Sequence, residues 1–233
     1  MTGVKRCFTP TVLRWLSFVV FTFCVSYLSL RYARQTAWYK DRLYGQLMTG
    51  SAEEQLRAAS ALAQVGAQEH LLAGLKAAGE PSRTLAQRAL EYVWFNAAGQ
   101  EAYERMQSAH REAEQKHFQQ AIAILDQLLQ KYPKYAEGWN RRASVYWQMG
   151  DYEKSIADCE RALRLNPNHY GAWQGMGVCR LEMGDVAEAC RSLRTALKII
   201  PYDETTRHSL RRCEELLRTF PNPLSKDNRT DLI

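Results

Sequence analysis

Acidic residues are missing from the first 40 positions of this 233-residue sequence, and its cysteines form no C-x-x-C pair. Those 40 positions carry six basic residues, whereas the rest of the chain carries 25 basic and 25 acidic residues. The net charge of +6 is therefore a property of the N-terminus. A nucleic-acid-binding domain would spread basic residues over one face of its fold. The charge distribution thus argues against a nucleic-acid partner.

Metal sites and catalytic centres also leave no pattern in the sequence. None of the six cysteines lies near a histidine at zinc-ligand spacing, and the five histidines form no acid–base constellation. Cys159, Cys179 and Cys190 fall at helical packing positions, where cysteine acts as a small apolar side chain. We therefore predict a protein that is not an enzyme and binds neither a cofactor nor a metal. An enzyme whose site forms only within a complex is the alternative.

The N-terminal segment, residues 1–40, is basic and strongly apolar. Residues 15–30 contain no charge, and a helix over residues 12–31 would be about 30 Å long, the thickness of a bilayer's hydrocarbon core. We predict a hydrophobic helix that anchors the protein in a membrane as a single-pass segment. Two alternatives stay open, a cleaved signal or targeting segment and a buried helix of a soluble fold.

Prolines recur at a constant interval, at positions 133, 167 and 201. The second unit that they define reads AEGWNRRASVYWQMGDYEKSIADCERALRLNPNH. Its MGD sequence, which the third unit repeats, should end one helix with a left-handed glycine and cap the next helix with aspartate. A period of this length, filled by helix pairs, is typical of a solenoid. The three units are residues 102–135, 136–169 and 170–203.

These units resemble the tetratricopeptide repeat family over residues 101–203. The resemblance implies an all-α fold, a right-handed α-α superhelix built from helix hairpins. Residues 204–220 have an amphipathic pattern suited to a helix that caps the stack. We expect residues 221–233 to form a flexible tail, which contains the N-glycosylation sequon Asn228–Thr230.

Residues 41–100 show a different helical pattern. Ser51 and Glu54 form a capping box, and leucines and alanines recur at helical spacing. This segment loosely resembles a pair of HEAT-type helices with one helix added. We expect it to extend the solenoid as one continuous rod, with Trp94 and Phe95 packed against the first helix of the first repeat.

Three glycines, Gly171, Gly175 and Gly177, lie close together in the third unit. A phosphate-binding loop would place such glycines between a strand and a helix, and no strand pattern is visible there. The unit is also too polar for a glycine-mediated pairing of membrane helices. We therefore predict that Gly177 is a small packing residue between two helices.

The family resemblance also implies a concave groove that holds a protein or peptide partner. The side-chain amides of Asn140 and Gln174 would bond the ligand backbone. One subclass of the family clamps the carboxylates of chaperone tails, but the corresponding positions here hold Met106, His110, Arg141, Gly171 and Gly175. We therefore expect no such clamp. The implied groove residues are Tyr103, Met106, His110, Asn140, Ser144, Trp147, Gln174, Val178, Leu181, His208 and Arg212.

Taken together, the sequence predicts a membrane-anchored, non-catalytic scaffold that binds a protein or peptide in this groove. The alternative is an assembly or accessory factor of an organelle or the periplasm, made soluble by removal of its N-terminal segment. For the groove itself, the alternative is that a neighbouring helix covers it and that it binds nothing.

Overall fold

The computed structural model describes residues 10–77 and 79–219, and every regular element within them is an α-helix. The predicted all-α fold is therefore confirmed. The predicted tail and its sequon at Asn228–Thr230 lie outside the described residues. The helices are α1 (Pro10–Gln35), α2 (Ala37–Thr49), α3 (Ala52–Gln64), α4 (Gln68–Gly74), α5 (Glu80–Phe95), α6 (Gln100–Glu114), α7 (Phe118–Lys131), α8 (Ala136–Gln148), α9 (Tyr152–Leu165), α10 (Tyr170–Glu182), α11 (Val186–Ile199) and α12 (Glu204–Thr219).

Helices α6 to α11 form three consecutive hairpins, which stack in the predicted right-handed superhelix with α12 packed against the last one. The turn within each hairpin contains one residue in the left-handed conformation, Lys116 (φ 63°), Gly150 (φ 79°) or Gly184 (φ 80°). These positions are equally spaced, at the interval that also separates the prolines, so the turns follow the period of the sequence. Glycine adopts this conformation without steric cost, and the two MGD sequences therefore end their helices as predicted.

The aspartates that follow these glycines do not behave alike. Asp185 caps α11, because its Oδ1 accepts a hydrogen bond from the Glu188 backbone N–H at 3.4 Å. Asp151 makes no capping bond and instead accepts from Lys154 Nζ at 2.5 Å. The predicted cap at Asp151 is wrong, since a lysine in the first turn of the helix takes the carboxylate. The predicted capping box of Ser51 and Glu54 is confirmed at the start of α3.

A second periodic contact joins each first helix to the turn before it. The indole Nε1 of an equivalent tryptophan donates to a proline carbonyl oxygen, in Trp139 to Pro133 at 3.0 Å and in Trp173 to Pro167 at 2.9 Å. In α12 the equivalent residue is Arg207, whose Nε donates to the Pro201 carbonyl at 3.0 Å. Helix α12 therefore joins the stack through the contact that the first helices of the second and third units use.

Gly177 lies where α10 meets α11. A Cβ at this position would lie 2.7 Å from Leu193 Cγ and 3.3 Å from the Ala189 carbonyl oxygen. The first distance is too short for any pair of non-bonded carbon atoms, so only glycine lets the two helices approach this closely. The predicted packing role of Gly177 is confirmed.

Helix α5 packs along the turns between the hairpins, although α2 to α5 share a core of their own. Trp94 stacks on His169, with ring centroids 4.8 Å apart, and the Tyr170 hydroxyl donates to Glu91 Oε1 at 2.6 Å. Phe95 packs on the core of the first hairpin, as predicted. The predicted position of Trp94 is wrong, because the aromatic side chains of the later turns provide its contact surface. The N-terminal helices therefore lie beside the hairpins and do not extend them as a rod.

The predicted membrane anchor over residues 12–31 falls within α1 and is not supported. In the part of the chain that the structure describes, no helix combines enough length with enough apolar character to cross a bilayer. Ser17, Thr22, Ser26 and Ser29 interrupt the apolar run, and Arg31 follows it. The single-pass membrane localisation predicted from the sequence is therefore wrong.

Candidate functional site

A pocket of about 420 Å³ opens between α8, α10 and the start of α12. Its most buried lining side chains include Ala143 and Cys159, and Trp147 on its edge is 45% exposed. Cavities of this size that combine apolar walls with a few polar groups are typical of binding sites. We call it the groove pocket, and its lining residues are Asn140, Arg141, Ala143, Ser144, Trp147, Ser155, Cys159, Gly171, Gln174, Gly175, Val178 and Thr205.

Two side-chain amides line the groove pocket at equivalent positions of successive units. Asn140 lies on α8 and Gln174 on α10, one full repeat apart. Neither amide group has a hydrogen-bond partner among the described residues. Each amide offers both donors and an acceptor, which is the complement of a peptide main chain. Both groups are therefore available to a ligand.

A buried polar network lies behind the pocket. Arg141 Nε donates to Glu137 Oε1 at 2.7 Å, and His169 Nε2 lies 2.8 Å from Glu137 Oε2. His169 Nδ1 accepts from the Ala172 backbone N–H at 3.2 Å, so Nε2 carries the hydrogen and donates it to the carboxylate. Burial raises the pKa of Glu137, but the hydrogen bonds from His169 and Arg141, together with the Arg141 charge, outweigh burial and keep this pKa below its ordinary value. Glu137 is therefore ionised and balances the Arg141 charge.

Five of the predicted groove residues come together in the groove pocket. They lie on two neighbouring first helices and follow one another at intervals of about one turn. Their side chains provide two amides, one hydroxyl, one indole and one isopropyl group. They are Asn140, Ser144, Trp147, Gln174 and Val178.

The other six predicted groove residues lie elsewhere. Met106 and Leu181 are buried in hydrophobic cores, at 2% and 9% exposure. Tyr103 borders a separate cavity beside α5. The remaining three, His110, His208 and Arg212, are exposed. His110 lies 3.3 Å from Glu114, and Arg212 lies 3.8 Å from Glu182.

Several pocket residues were missed by the sequence reasoning because they are not on the predicted face. Ser155 and Cys159 come from α9, and Thr205 comes from the first turn of α12. Gly175 carried a usable signal, because glycine within a helix is less favourable than alanine and needs a reason. Its place in the pocket supplies one.

The thiols close to the pocket are poorly suited to nucleophilic chemistry. Burial raises the pKa of Cys159 to about 12. Cys179 Sγ donates to Ser155 Oγ at 3.2 Å, and burial also raises its pKa. A raised pKa leaves little reactive thiolate at neutral pH. Across residues 10–77 and 79–219, no cluster of His, Cys, Asp and Glu is arranged to hold a metal ion.

Comparison with known families matches the hairpins. Three family models, each described as a tetratricopeptide repeat, match residues 101–135, 136–169 and 159–191. A TPR repeat-containing protein of Rhizobium etli is 44% identical over 50 residues, which are 22% of this chain and 24% of that protein. The chain thus spans about a quarter of the length of that curated relative.

Comparison with solved structures also matches the hairpins. The first TPR domain of human RPAP3 is 20% identical with a TM-score of 0.51, and the match covers 53% of this chain and 97% of that one. The first TPR of Spaghetti (RPAP3), bound to the HSP90 peptide SRMEEVD, is 20% identical with a TM-score of 0.49, covering 50% and 93%. At 20% identity, the match to the human RPAP3 domain shows the fold alone.

Proposed function

Because residues 101–191 belong to the tetratricopeptide repeat family, we propose that the chain is a scaffold that holds an extended segment of a protein partner in the groove pocket. The observation that carries this proposal is the pair of unpartnered amides of Asn140 and Gln174. The two amides occupy equivalent positions of successive units, so they present hydrogen-bond donors and acceptors along the groove. The N–H and C=O groups of an extended main chain can bond to both of them.

The proposed contact surface centres on the five residues that meet in the groove pocket. Trp147 supplies an exposed aromatic ring, the residue type that contributes most to binding energy at interfaces. Beyond the pocket, the surface would continue to His208 and Arg212 on α12 and to Tyr103 and His110 on α6. Met106 and Leu181 would support it from the core.

The proposed role is non-catalytic and differs from recognition of chaperone tails. Burial and the raised pKa of Cys159 argue against a thiol nucleophile in the pocket. The clamp positions hold a buried Met106 and two glycines, and Arg141 is the one charged residue among those lining the pocket. A site with this single cation, itself paired with Glu137, is a poor match for several carboxylates.

The test is capture of partners by the full-length chain carrying Asn140→Ala with Trp147→Ala. Crosslinking followed by quantitative mass spectrometry should show a loss of at least about tenfold, because an aromatic anchor and a polar contact are removed together. The matched control is Trp38→Ala with Gln119→Ala, which removes an exposed indole and an exposed amide elsewhere. Unchanged capture by a groove variant with a wild-type circular-dichroism spectrum would refute the proposal.

A further inference from the structure

Two glycines of the groove pocket have no packing role. A Cβ at Gly175 would lie 3.4 Å from Cys159 Sγ, and one at Gly171 would lie 3.5 Å from His169 Cε1. Both are ordinary contact distances, in contrast to the 2.7 Å clash at Gly177. Alanine would fit at both positions and would favour the helix more than glycine does. These glycines therefore lower the stability of α10 and leave open space in the pocket.

The open space has walls suited to a ring. The Trp147 indole and the Val178 side chain provide apolar surface, and the Cys159 sulfur lies close to the space that Gly175 leaves. Aromatic rings pack favourably against another ring in tilted or offset geometry and against sulfur at the ring edge. These groups favour an aromatic side chain over an aliphatic one.

The charge around the pocket has one sign. Arg141 lines it, and no aspartate or glutamate does. Glu137, the acid bonded to Arg141, is 4% exposed and is also bonded to His169, so it cannot receive a ligand cation. Beyond the Nε bond to Glu137, the Arg141 guanidinium has no hydrogen bond to the described residues. The remaining N–H groups of Arg141 can donate to an anionic group at the pocket, whereas a cationic group would find no carboxylate there to accept its hydrogen bonds.

We propose that the groove pocket binds an aromatic side chain of the partner with a carboxylate next to it. This inference rests on the proposed function and adds the chemistry of the bound segment, an acidic peptide with an aromatic anchor. The ring occupies the space over Gly171 and Gly175, the carboxylate accepts hydrogen bonds from Arg141, and the flanking main chain meets Asn140 and Gln174.

Two small probes test this chemistry directly on the full-length chain labelled with ¹⁵N-glycine. Indole-3-propionate carries an indole and a carboxylate, and tryptamine carries the same ring with an ammonium group. The amide signals of Gly171 and Gly175 should shift saturably with indole-3-propionate, and the affinity for tryptamine should be at least about tenfold lower. Equal affinities, or shifts confined to other glycines, would overturn the inference.

A matched pair of variants separates binding from folding. Gly175→Ala should lower the affinity for indole-3-propionate by at least about tenfold, because the added methyl group fills the space. The same substitution should raise the melting temperature by about 2–4 °C. Gly177→Ala, at the next position but one, should lower the melting temperature because of its clash with Leu193. A lower melting temperature in Gly175→Ala, or unchanged affinity, would contradict the inference.

The two proposals can fail separately. If the Asn140 and Trp147 variant loses its partners while Gly175→Ala binds the probe normally, the groove functions as a scaffold and the aromatic pocket is wrong. If the probe binds as described and the groove variant retains its partners, the pocket exists and the proposed function is wrong.

Discussion

Within residues 10–77 and 79–219, Lys116 is the non-glycine residue that has a positive φ. It has a φ of 63° in the turn of the first hairpin, at the position that Gly150 and Gly184 hold in the other two. The left-handed backbone conformation costs a residue with a Cβ roughly 1–2 kcal/mol, whereas glycine adopts it without this cost. The first hairpin is therefore strained at a position where the other two are not.

Lys116→Gly should raise the free energy of unfolding by about 1 kcal/mol, somewhat less than the strain because glycine also gains freedom in the unfolded chain. Urea denaturation should show a higher midpoint at an unchanged slope. The reverse change, Gly150→Ala, provides the matched comparison and should lower the midpoint. A lower midpoint for Lys116→Gly would contradict the argument.

The Glu137 carboxylate makes stability depend on pH. Its pKa is below the ordinary value of 4.5 in the folded chain, so the unfolded chain binds this proton more readily. The stabilising contribution is therefore complete above pH 4.5 and is lost as the pH falls through the lowered folded-state pKa. Between about pH 5 and about pH 3, wild type should lose unfolding free energy more steeply than Glu137→Gln.

Urea titrations across this pH range measure the difference. Glu137→Gln should already be less stable by about 1–3 kcal/mol at neutral pH, because Arg141 and His169 lose a charged partner. Glu160→Gln, at an exposed position of α9, should keep the wild-type slope. Parallel curves for wild type and Glu137→Gln would show that Glu137 does not cause the dependence.

At the scale of the helix, α12 packs on the third hairpin through a contact made by a different residue type. Its first turn follows Pro201, and Arg207 makes the bond to the proline carbonyl that tryptophan makes in α8 and α10. Arg207 also pairs with Glu204 and lies 5.5 Å from the Tyr202 ring. The start of α12, which borders the groove pocket through Thr205, is thus held by this side chain and by Asp203, whose Oδ2 accepts from the Thr206 backbone N–H at 2.7 Å.

Arg207→Ala should destabilise α12 by about 1 kcal/mol, because the Pro201 carbonyl loses its side-chain donor. Hydrogen exchange should report faster exchange at α12 amides than at α9 amides. Arg211→Ala removes an exposed arginine of the same helix and is the control. Equal exchange in both variants would mean that the contact does not hold the helix.

Much at this scale could be predicted from the spacing of the prolines, because helix, turn and proline recur in register. The register also brought Asn140 and Gln174 to one pocket. It could not predict that Lys154 takes the Asp151 carboxylate, since that competition depends on rotamers. Nor could it predict that Trp94 packs on His169, because the partner is distant in the sequence and the contact belongs to no repeat position.

For the molecule as a whole, α5 connects the core of the N-terminal helices to the hairpins. It contacts each of the turns that follow the second helices of the hairpins. The Tyr135 hydroxyl donates to the Phe95 carbonyl at 2.7 Å, Trp94 stacks on His169, and Arg83 lies 4.0 Å from the Tyr202 ring. The N-terminal helices and the hairpins therefore share an interface that couples their unfolding.

Trp94→Ala should destabilise the chain by about 3–5 kcal/mol, because a buried indole is lost from this interface. Trp94→Phe should cost much less, since the indole Nε1 has no hydrogen-bond partner and the ring stacking can be kept. Calorimetry should resolve separate transitions for α2–α5 and the hairpins in Trp94→Ala, while Trp38→Ala behaves as wild type. A single transition in Trp94→Ala would contradict the shared interface.

The contacts of α5 have a consequence for how the array can bend. Repeat arrays change curvature by small rotations between neighbouring units, and every such rotation moves the turns relative to one another. Here a single helix, α5, contacts the turns of all three units and therefore opposes such rotations. A ligand that changes the distance between α8 and α10 must strain the contacts of α5. Weakening those contacts must in turn change the affinity for the ligand by the same free energy.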